Sequence, residues 1–336
     1  MKPRLTVLMP VFNAEKFLFE AVESILNQTF ADFEFLIIDD ASIDSSAEIV
    51  ASFKDSRIRL IKNKENAGIS AALNKGIEIS QTDLIARMDA DDISYPSRLE
   101  KQFAFFEANP ECALLSAWAR EIDADKKPIL TEKWASAGYY YNLTFECRIY
   151  HPTVMYRRAA VKDCGMYSRH FCEDYDLWWK ISRKYKIDNL EEVLLDYRST
   201  GESLSRVAKK NEYKNAQTEQ VLRNIRYYTN GDFTLSSEEL EALRYNLEPL
   251  LKAGNLNKIT DCFENLDYIT GCIVEKENVN RDETAIREAA KLKRELMLSF
   301  FERNLPKTKA VNLLMRLGEW KRLFNSSGNY LLKKIK

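Results

Sequence analysis

The chain has 336 residues, 50 Lys+Arg against 51 Asp+Glu, with 45% hydrophobic and 11% aromatic residues. At roughly 150 residues per domain, that length predicts two domains or one large domain with an appendage, and the apolar fraction excludes wholesale disorder. No apolar run approaches the ~20 residues of a membrane-spanning helix, and Met1-Lys2-Pro3-Arg4 leads into a strand-like run without the features of a signal peptide.

Leu5–Val11 is a compact apolar run that predicts a buried strand. A helix follows over Glu15–Gln28, with Phe17, Leu18, Ala21, Val22, Ile25 and Leu26 on one face. The alternation continues with a strand at Phe33–Ile38, a helix at Ser45–Phe53, a strand at Arg57–Ile61 and a helix at Ile69–Ile79. Leu84–Met88 is a fourth strand, Pro96–Glu107 a helix with proline near its first turn, and Ala113–Ala119 a fifth strand. Successive β-α units predict an α/β fold, a mainly parallel sheet with helices on both faces, whose ligands bind at the carboxyl ends of the strands. Strands at Thr153–Tyr156 and Val193–Tyr197 and a helix at Glu173–Lys186 fill the region 121–201. The reading is one α/β domain over 1–201, whose pattern changes at about 120 from regular β-α alternation to mixed elements. A helical extension over 202–336 completes it, with loops near Asn230-Gly231 and Ala253-Gly254-Asn255.

The six cysteines are scattered with no C-x-x-C pair, which points to a reducing cytoplasm, and two histidines disfavour a zinc cluster. Net charge is unevenly spread: residues 291–336 hold twelve Lys/Arg and three Glu, a net +9. These cations interleave with Leu296, Phe300, Phe301, Leu313, Leu314, Leu317, Trp320, Leu323 and Phe324. The pattern predicts a basic amphipathic segment facing an anionic membrane surface, or else packed on the body of the protein with its basic face in water. No nucleic-acid recognition motif is present.

The first β-α turn, Met9-Pro10-Val11-Phe12-Asn13-Ala14-Glu15, has no glycine, so neither a G-x-G-x-x-G nor a P-loop operates there. Acids instead close two strands: Asp39-Asp40-Ala41-Ser42 after the second, and Asp89-Ala90-Asp91-Asp92 after the fourth. Three carboxylates within four residues repel one another and call for compensation, most simply by Mg²⁺ or Mn²⁺. An EF-hand fails on Ile93 at its fifth position, Ser94 in place of the turn glycine, and a preceding strand rather than a helix. Glu173-Asp174 opens a further helix, where carboxylates suit the dipole and one of them also suits general base work.

In this order the motifs resemble the family 2 glycosyltransferases of GT-A (Rossmann-like) fold. The matching stretches are Leu5–Asn13, Ile37–Ser42, Asn66-Ala67-Gly68 through Asn74-Lys75-Gly76, Arg87–Asp92, His151–Met155 and Glu173–Trp178. The resemblance implies that Pro10, Val11 and Phe12 line the base pocket, that Asp40 hydrogen-bonds the nucleobase, most often uracil, and that Gly68 lets its loop approach the nucleotide. Arg87, Met88, Asp89 and Ala90 would belong to the donor site, and Asp89 and Asp91 match the D-x-D that meets the metal. Asp174 matches the catalytic base, with Glu173 beside it, and His151 stands either near the donor phosphates or at a strand start. By the same resemblance the chain would be an inverting enzyme using Mn²⁺ or Mg²⁺ and a UDP-sugar. It would build cell-surface polysaccharide or lipopolysaccharide on a saccharide or lipid-linked saccharide, peripherally at the inner face of the cytoplasmic membrane. Many relatives carry Tyr-Arg-x-His after the final strand, whereas here Tyr197-Arg198 precedes Ser199-Thr200-Gly201. A sugar-1-phosphate nucleotidyltransferase lacks its Gly-rich signature here, and a non-catalytic scaffold would not need all these acids.

Overall fold

Strand β1 (Leu5–Val11) is almost entirely buried because parallel neighbours cover both edges and helices cover both faces, which is why its sequence reads as a continuous apolar run. Those neighbours are β2 (Phe33–Asp39) and β4 (Leu84–Arg87), and β3 (Ile58–Lys62) extends the sheet beyond β2. The computed structural model describes residues 2–169, 171–199, 210–231 and 233–323. The remaining strands are β5 (Ile93–Ser94), β6 (Cys112–Ile122), β7 (Pro128–Thr131), β8 (Met155–Arg157) and β9 (Lys186–Arg198). Their order is β3-β2-β1-β4-β8-β6-β9-β5, with β7 paired to β6. The strands β8, β5 and β7 run antiparallel to their neighbours, so the sheet is mixed but mainly parallel.

Helices α1 (Leu18–Leu26), α2 (Ser46–Ser52), α3 (Ile69–Ile79) and α4 (Arg98–Ala108) connect the early strands. Leu18, Ala21, Val22 and Ile25 of α1 recur at helical spacing and are fully buried against the sheet. The helix starts at Leu18 rather than at Glu15. Glu15 is held by the neighbouring loop instead, donating its N–H to Asp44 Oδ2 (2.9 Å) and accepting from Ser45 N–H (3.0 Å). Later come α5 (Tyr139–Asn142), α6 (Arg158–Asp163) and α7 (Glu173–Lys184). Strand β9 begins seven residues before Val193, since polar Asp188, Asn189, Glu191 and Glu192 hide its pattern while β6 supplies the pairing. A two-residue β5 pairs with the far side of β9, so residues 88–92 reach from mid-sheet β4 to that edge.

The chain divides into two compact units. One comprises Met1–Leu143, Cys147–Gln220 and Asn278–Asn280; the other comprises Thr144–Glu146, Val221–Glu277 and Arg281–Lys336. The second is helical: α8 (Lys210–Tyr228) leads into it, followed by α9 (Ser237–Leu243), α10 (Glu248–Ala253), α11 (Leu256–Glu275), α12 (Glu283–Asn304) and α13 (Lys307–Arg316). A capping box between Ser236 and Glu239 opens α9, and Gly254, at φ 64°, closes α10 in the left-handed conformation. Ile286, Met297, Leu298 and Phe301 of α12 and Leu313 and Leu314 of α13 are buried. Much of the apolar side expected of a free amphipathic segment is therefore spent in packing. Phe324 and the residues after it lie outside the described residues. No described helix is long and apolar enough to cross a membrane, and all six cysteines are free thiols.

Helix α3 lies so close to β1 that a Cβ at Gly76 would stand 2.2 Å from Leu8 Cδ1, and Leu8 is itself fully buried. Gly76→Val is expected to lower unfolding stability by about 1–3 kcal/mol, read as a lower urea midpoint at unchanged m-value.

Candidate active site

The carboxyl ends of β2 and β4 flank that of β1, so the two acidic turns lie at one edge of the sheet. Asp40 is buried, and both of its oxygens are in use. Oδ1 accepts from Asn63 Nδ2 (2.6 Å) and Ala67 N–H (3.1 Å), and Oδ2 accepts from Gly68 N–H (2.8 Å). Asp40 thus holds the 63–68 loop, and Gly68 adopts φ 87°, a conformation that side chains rarely tolerate, to begin α3. Pro10 and Val11 close β1, Val11 is buried, and Phe12 just beyond is half exposed. Asn13 ties this turn to the next, accepting from Ile43 N–H (2.9 Å) and donating its own N–H to Ser42 Oγ (3.0 Å).

The second turn contains the densest charge. Carboxylate oxygens of Asp89, Asp91 and Asp92 all lie within 4.8 Å of one another, the one such cluster among the described residues. Burial, and next the Asp89 charge, push the Asp91 carboxyl up to about 6. Burial chiefly, then Asp91 and Asp89, push Asp92 well above the usual range. Asp92 Oδ1 accepts the Arg198 N–H at 2.7 Å, while its buried Oδ2 has no protein partner. An all-oxygen donor set with an excess of negative charge is what Mg²⁺ and Mn²⁺ take, so these residues fit such an ion. Met88 and Ala90 are buried in the core of the sheet.

Arg87 lies buried at the end of β4, with its guanidinium ion-paired to Asp89. Its charge also reaches Glu173 and Asp174 at the start of α7, lowering both, so the acid turn and the acid pair share one electrostatic site. Burial and the Asp174 charge nevertheless hold Glu173 at about 7, and burial raises Asp174, whose Oδ1 accepts the Tyr175 N–H (2.7 Å).

His151 opens a short 3-10 turn, His151–Thr153, ahead of β8 rather than the strand itself. Its part-buried ring shares a hydrogen bond between Nε2 and the Tyr167 hydroxyl (2.9 Å), and desolvation, then Arg87, push its pKa well down. Trp178 packs against His151, Tyr156 and Tyr167, and Trp179 is also buried, so neither indole is an open sugar platform. Sequence reasoning counted Asp92 among the three carboxylates but named only Asp89 and Asp91 for the metal, and it did not single out Tyr167 or Arg198. Only the Tyr197-Arg198 pair carried a signal, through the histidine absent after it.

Removing one part-buried like charge from the turn should relieve it. The raised Asp91 pKa means that ionisation opposes folding above about pH 6, a penalty that fades as pH falls below that value. Asp91→Asn is expected to gain about 1–3 kcal/mol at pH 8 in chelator-treated buffer, measured as a higher midpoint of thermal unfolding, with the gain shrinking toward pH 5.

Residues 6–165 match the family model described as glycosyl transferase family 2. The chain is 35% identical over 241 residues to an uncharacterized glycosyltransferase, MJ1057, of Methanocaldococcus jannaschii, covering 68% of this chain and 83% of the relative. It is 31% identical over 216 residues to the Escherichia coli UDP-Gal:alpha-D-GlcNAc-diphosphoundecaprenol beta-1,3-galactosyltransferase, covering 61% and 77%. Among solved structures, S. aureus TarS 1-349 in complex with UDP-GlcNAc aligns at TM-score 0.55 with 15% identity, over 90% of this chain and 92% of that one. The mannosyltransferase PcManGT of Pyrobaculum calidifontis, in complex with GDP-Man and Mn2+, aligns at 0.50 with 15% identity, over 94% and 86%. With the GT-A fold and these relatives, the chain belongs to family 2 of the glycosyltransferases and is a glycosyltransferase enzyme.

Proposed function

We propose that the enzyme transfers a sugar, with inversion, from a UDP-sugar to a saccharide or lipid-linked saccharide in cell-surface polysaccharide or lipopolysaccharide synthesis. The observation that carries this reading is the convergence of the Asp89/Asp91/Asp92 turn and the Glu173/Asp174 pair on Arg87. Asp89 and Asp91 would hold Mn²⁺ or Mg²⁺, which when bound supplies neutralising charge for the departing diphosphate. Asp174 takes the acceptor hydroxyl's proton as that oxygen attacks the anomeric carbon, and the raised Glu173 and Asp174 carboxyls suit a base working near neutral pH. Phe12 offers a half-exposed ring to the base, and Asp40 acts on the nucleotide through the Gly68 loop as well as by its own oxygens. UDP takes precedence because one relative is named for UDP-Gal and TarS binds UDP-GlcNAc; the GDP-Man complex makes GDP the first competitor.

The enzyme works, on this reading, as a peripheral protein on the inner face of the cytoplasmic membrane. Within 291–323 the three acids are all engaged internally, Glu295 and Glu302 by Arg322 and Glu319 by Arg294 (3.2 Å). The exposed charges of that stretch are accordingly all cations: Lys291, Arg303, Lys307, Lys309, Arg316 and Lys321. Leu292, Leu296, Val311, Met315 and Trp320 are exposed apolar residues of the same segment.

Calorimetric titration with UDP, GDP and dTDP, each with and without Mn²⁺, tests the donor site. Metal-dependent binding of UDP is expected, and binding of none of them would favour a non-catalytic scaffold. Asp174→Asn should lower kcat by about 10²–10⁴-fold while leaving UDP binding intact. In the wild type kcat/KM should fall as pH drops below about 7, where Glu173 takes up a proton. For the membrane, deleting 291–336 would remove core residues of α12, so charge reversal is the cleaner test. The variant K307E/K309E/K321E should lose flotation with phosphatidylglycerol vesicles yet keep UDP binding, and unchanged flotation would overturn the membrane assignment.

A further inference from the structure

We propose that Arg198 is a positioning residue for the metal-binding turn. It locks the backbone of Asp91 and the side chain of Asp92 in the geometry in which the carboxylates meet a divalent cation and the donor diphosphate. The inference rests on the donor reading above and extends it to a residue that touches neither ligand.

Arg198 ends β9, beside β5 and therefore beside the far end of the acid turn. It is 2% exposed, and every part of it is committed. Its main-chain N–H donates to Asp92 Oδ1 (2.7 Å), and of the guanidinium Nε donates to the Asp91 carbonyl (2.8 Å). Nη1 donates to the Ala124 carbonyl (3.0 Å) in the turn between β6 and β7, and Nη2 pairs with Glu20 of α1 (2.9 Å). The Phe17 ring lies against the guanidinium, 4.2 Å from its centroid.

The β6–β7 turn and α1, with Phe17 at its start, thus grip the planar fork from outside, and the fork grips the acid turn through Nε at the Asp91 carbonyl. A rigid five-donor guanidinium does this at fixed angles, whereas a lysine ammonium reaches one partner at a time. The turn needs such a brace. It crosses from β4 toward the sheet edge without regular pairing between Met88 and Ile93, and its own charges push it apart. Groups that orient first ligands in this way typically hold about 10–100-fold of metal affinity.

The test is Mn²⁺ affinity by calorimetry at saturating UDP, with the full chain, for wild type, Arg198→Ala, Arg198→Lys and Glu20→Gln, each checked for folding by circular dichroism. Folded Arg198→Ala should bind Mn²⁺ at least about tenfold more weakly and show a raised donor KM with acceptor KM unchanged. Arg198→Lys should fall between it and wild type. Glu20→Gln, which removes the charge from the guanidinium's anchor without touching the turn, should lose affinity in the same direction but less. If Arg198→Ala does not fold, the other two variants decide by the same criterion. Wild-type Mn²⁺ affinity and donor KM in the folded variants, with only a lowered melting temperature, would overturn the proposal and leave Arg198 as core packing. Failure of the wild type to bind UDP with Mn²⁺ would instead overturn the donor reading.

Discussion

Mutual repulsion of the three carboxylates after β4 is the constraint around which the catalytic unit is arranged. Two charges about 5 Å apart repel by roughly 3 kcal/mol at an effective dielectric of 20, and Asp92 is fully buried besides. The fold answers with cations and donors from separate parts of the chain. Arg87 comes from the strand itself, Arg198 and its N–H from β9, while Arg98, buried in α4, donates to the Arg87 carbonyl (2.7 Å). This compensation is partial, as the raised Asp91 and Asp92 carboxyls attest. A turn left short of positive charge is one ready to receive a cation.

The same logic orders the rest of the edge. Asp40 fixes the loop that carries Gly68, and the crossed hydrogen bonds of Asn13 and Ser42 fix the turn that carries Phe12, so this end of the sheet edge is preorganised by hydrogen bonds to backbone rather than by exposed charge. Glu173 and Asp174 stand at the start of α7, whose dipole favours anions. Burial works against that, holding Glu173 at about 7 and raising Asp174 above the usual carboxylate range. His151, Tyr167 and Trp178 pack against one another, and the Arg87 charge reaches both His151 and Tyr167.

Local pattern sufficed wherever one strand or helix satisfied itself. Continuous apolar runs announced β1, β2 and β4 because parallel strands are buried on both faces, and helix α3 appeared at its observed limits, Ile69–Ile79. The acids of the turn and of α7 were legible as well, because charge clustered at a strand end or helix start is visible in one dimension. Elements stabilised by a distant partner were not. The polar first half of β9, two-residue β5 and exposed β7 exist because β6 and β9 offer them hydrogen bonds.

By itself, then, the sequence determined the α/β class, the family and the identity of the acids, since these depend on periodicity and on residues close together in the chain. Tertiary structure alone decided which cations answer those acids. Arg198 is 106 residues from Asp92 and 178 from Glu20, and no local rule joins them. It also decided that Asp40 holds a loop, that both tryptophans of α7 are buried, and that the acids of the basic tail are consumed internally. Charges are paired through space, and the free energy of a buried charge depends on what surrounds it rather than on what precedes it.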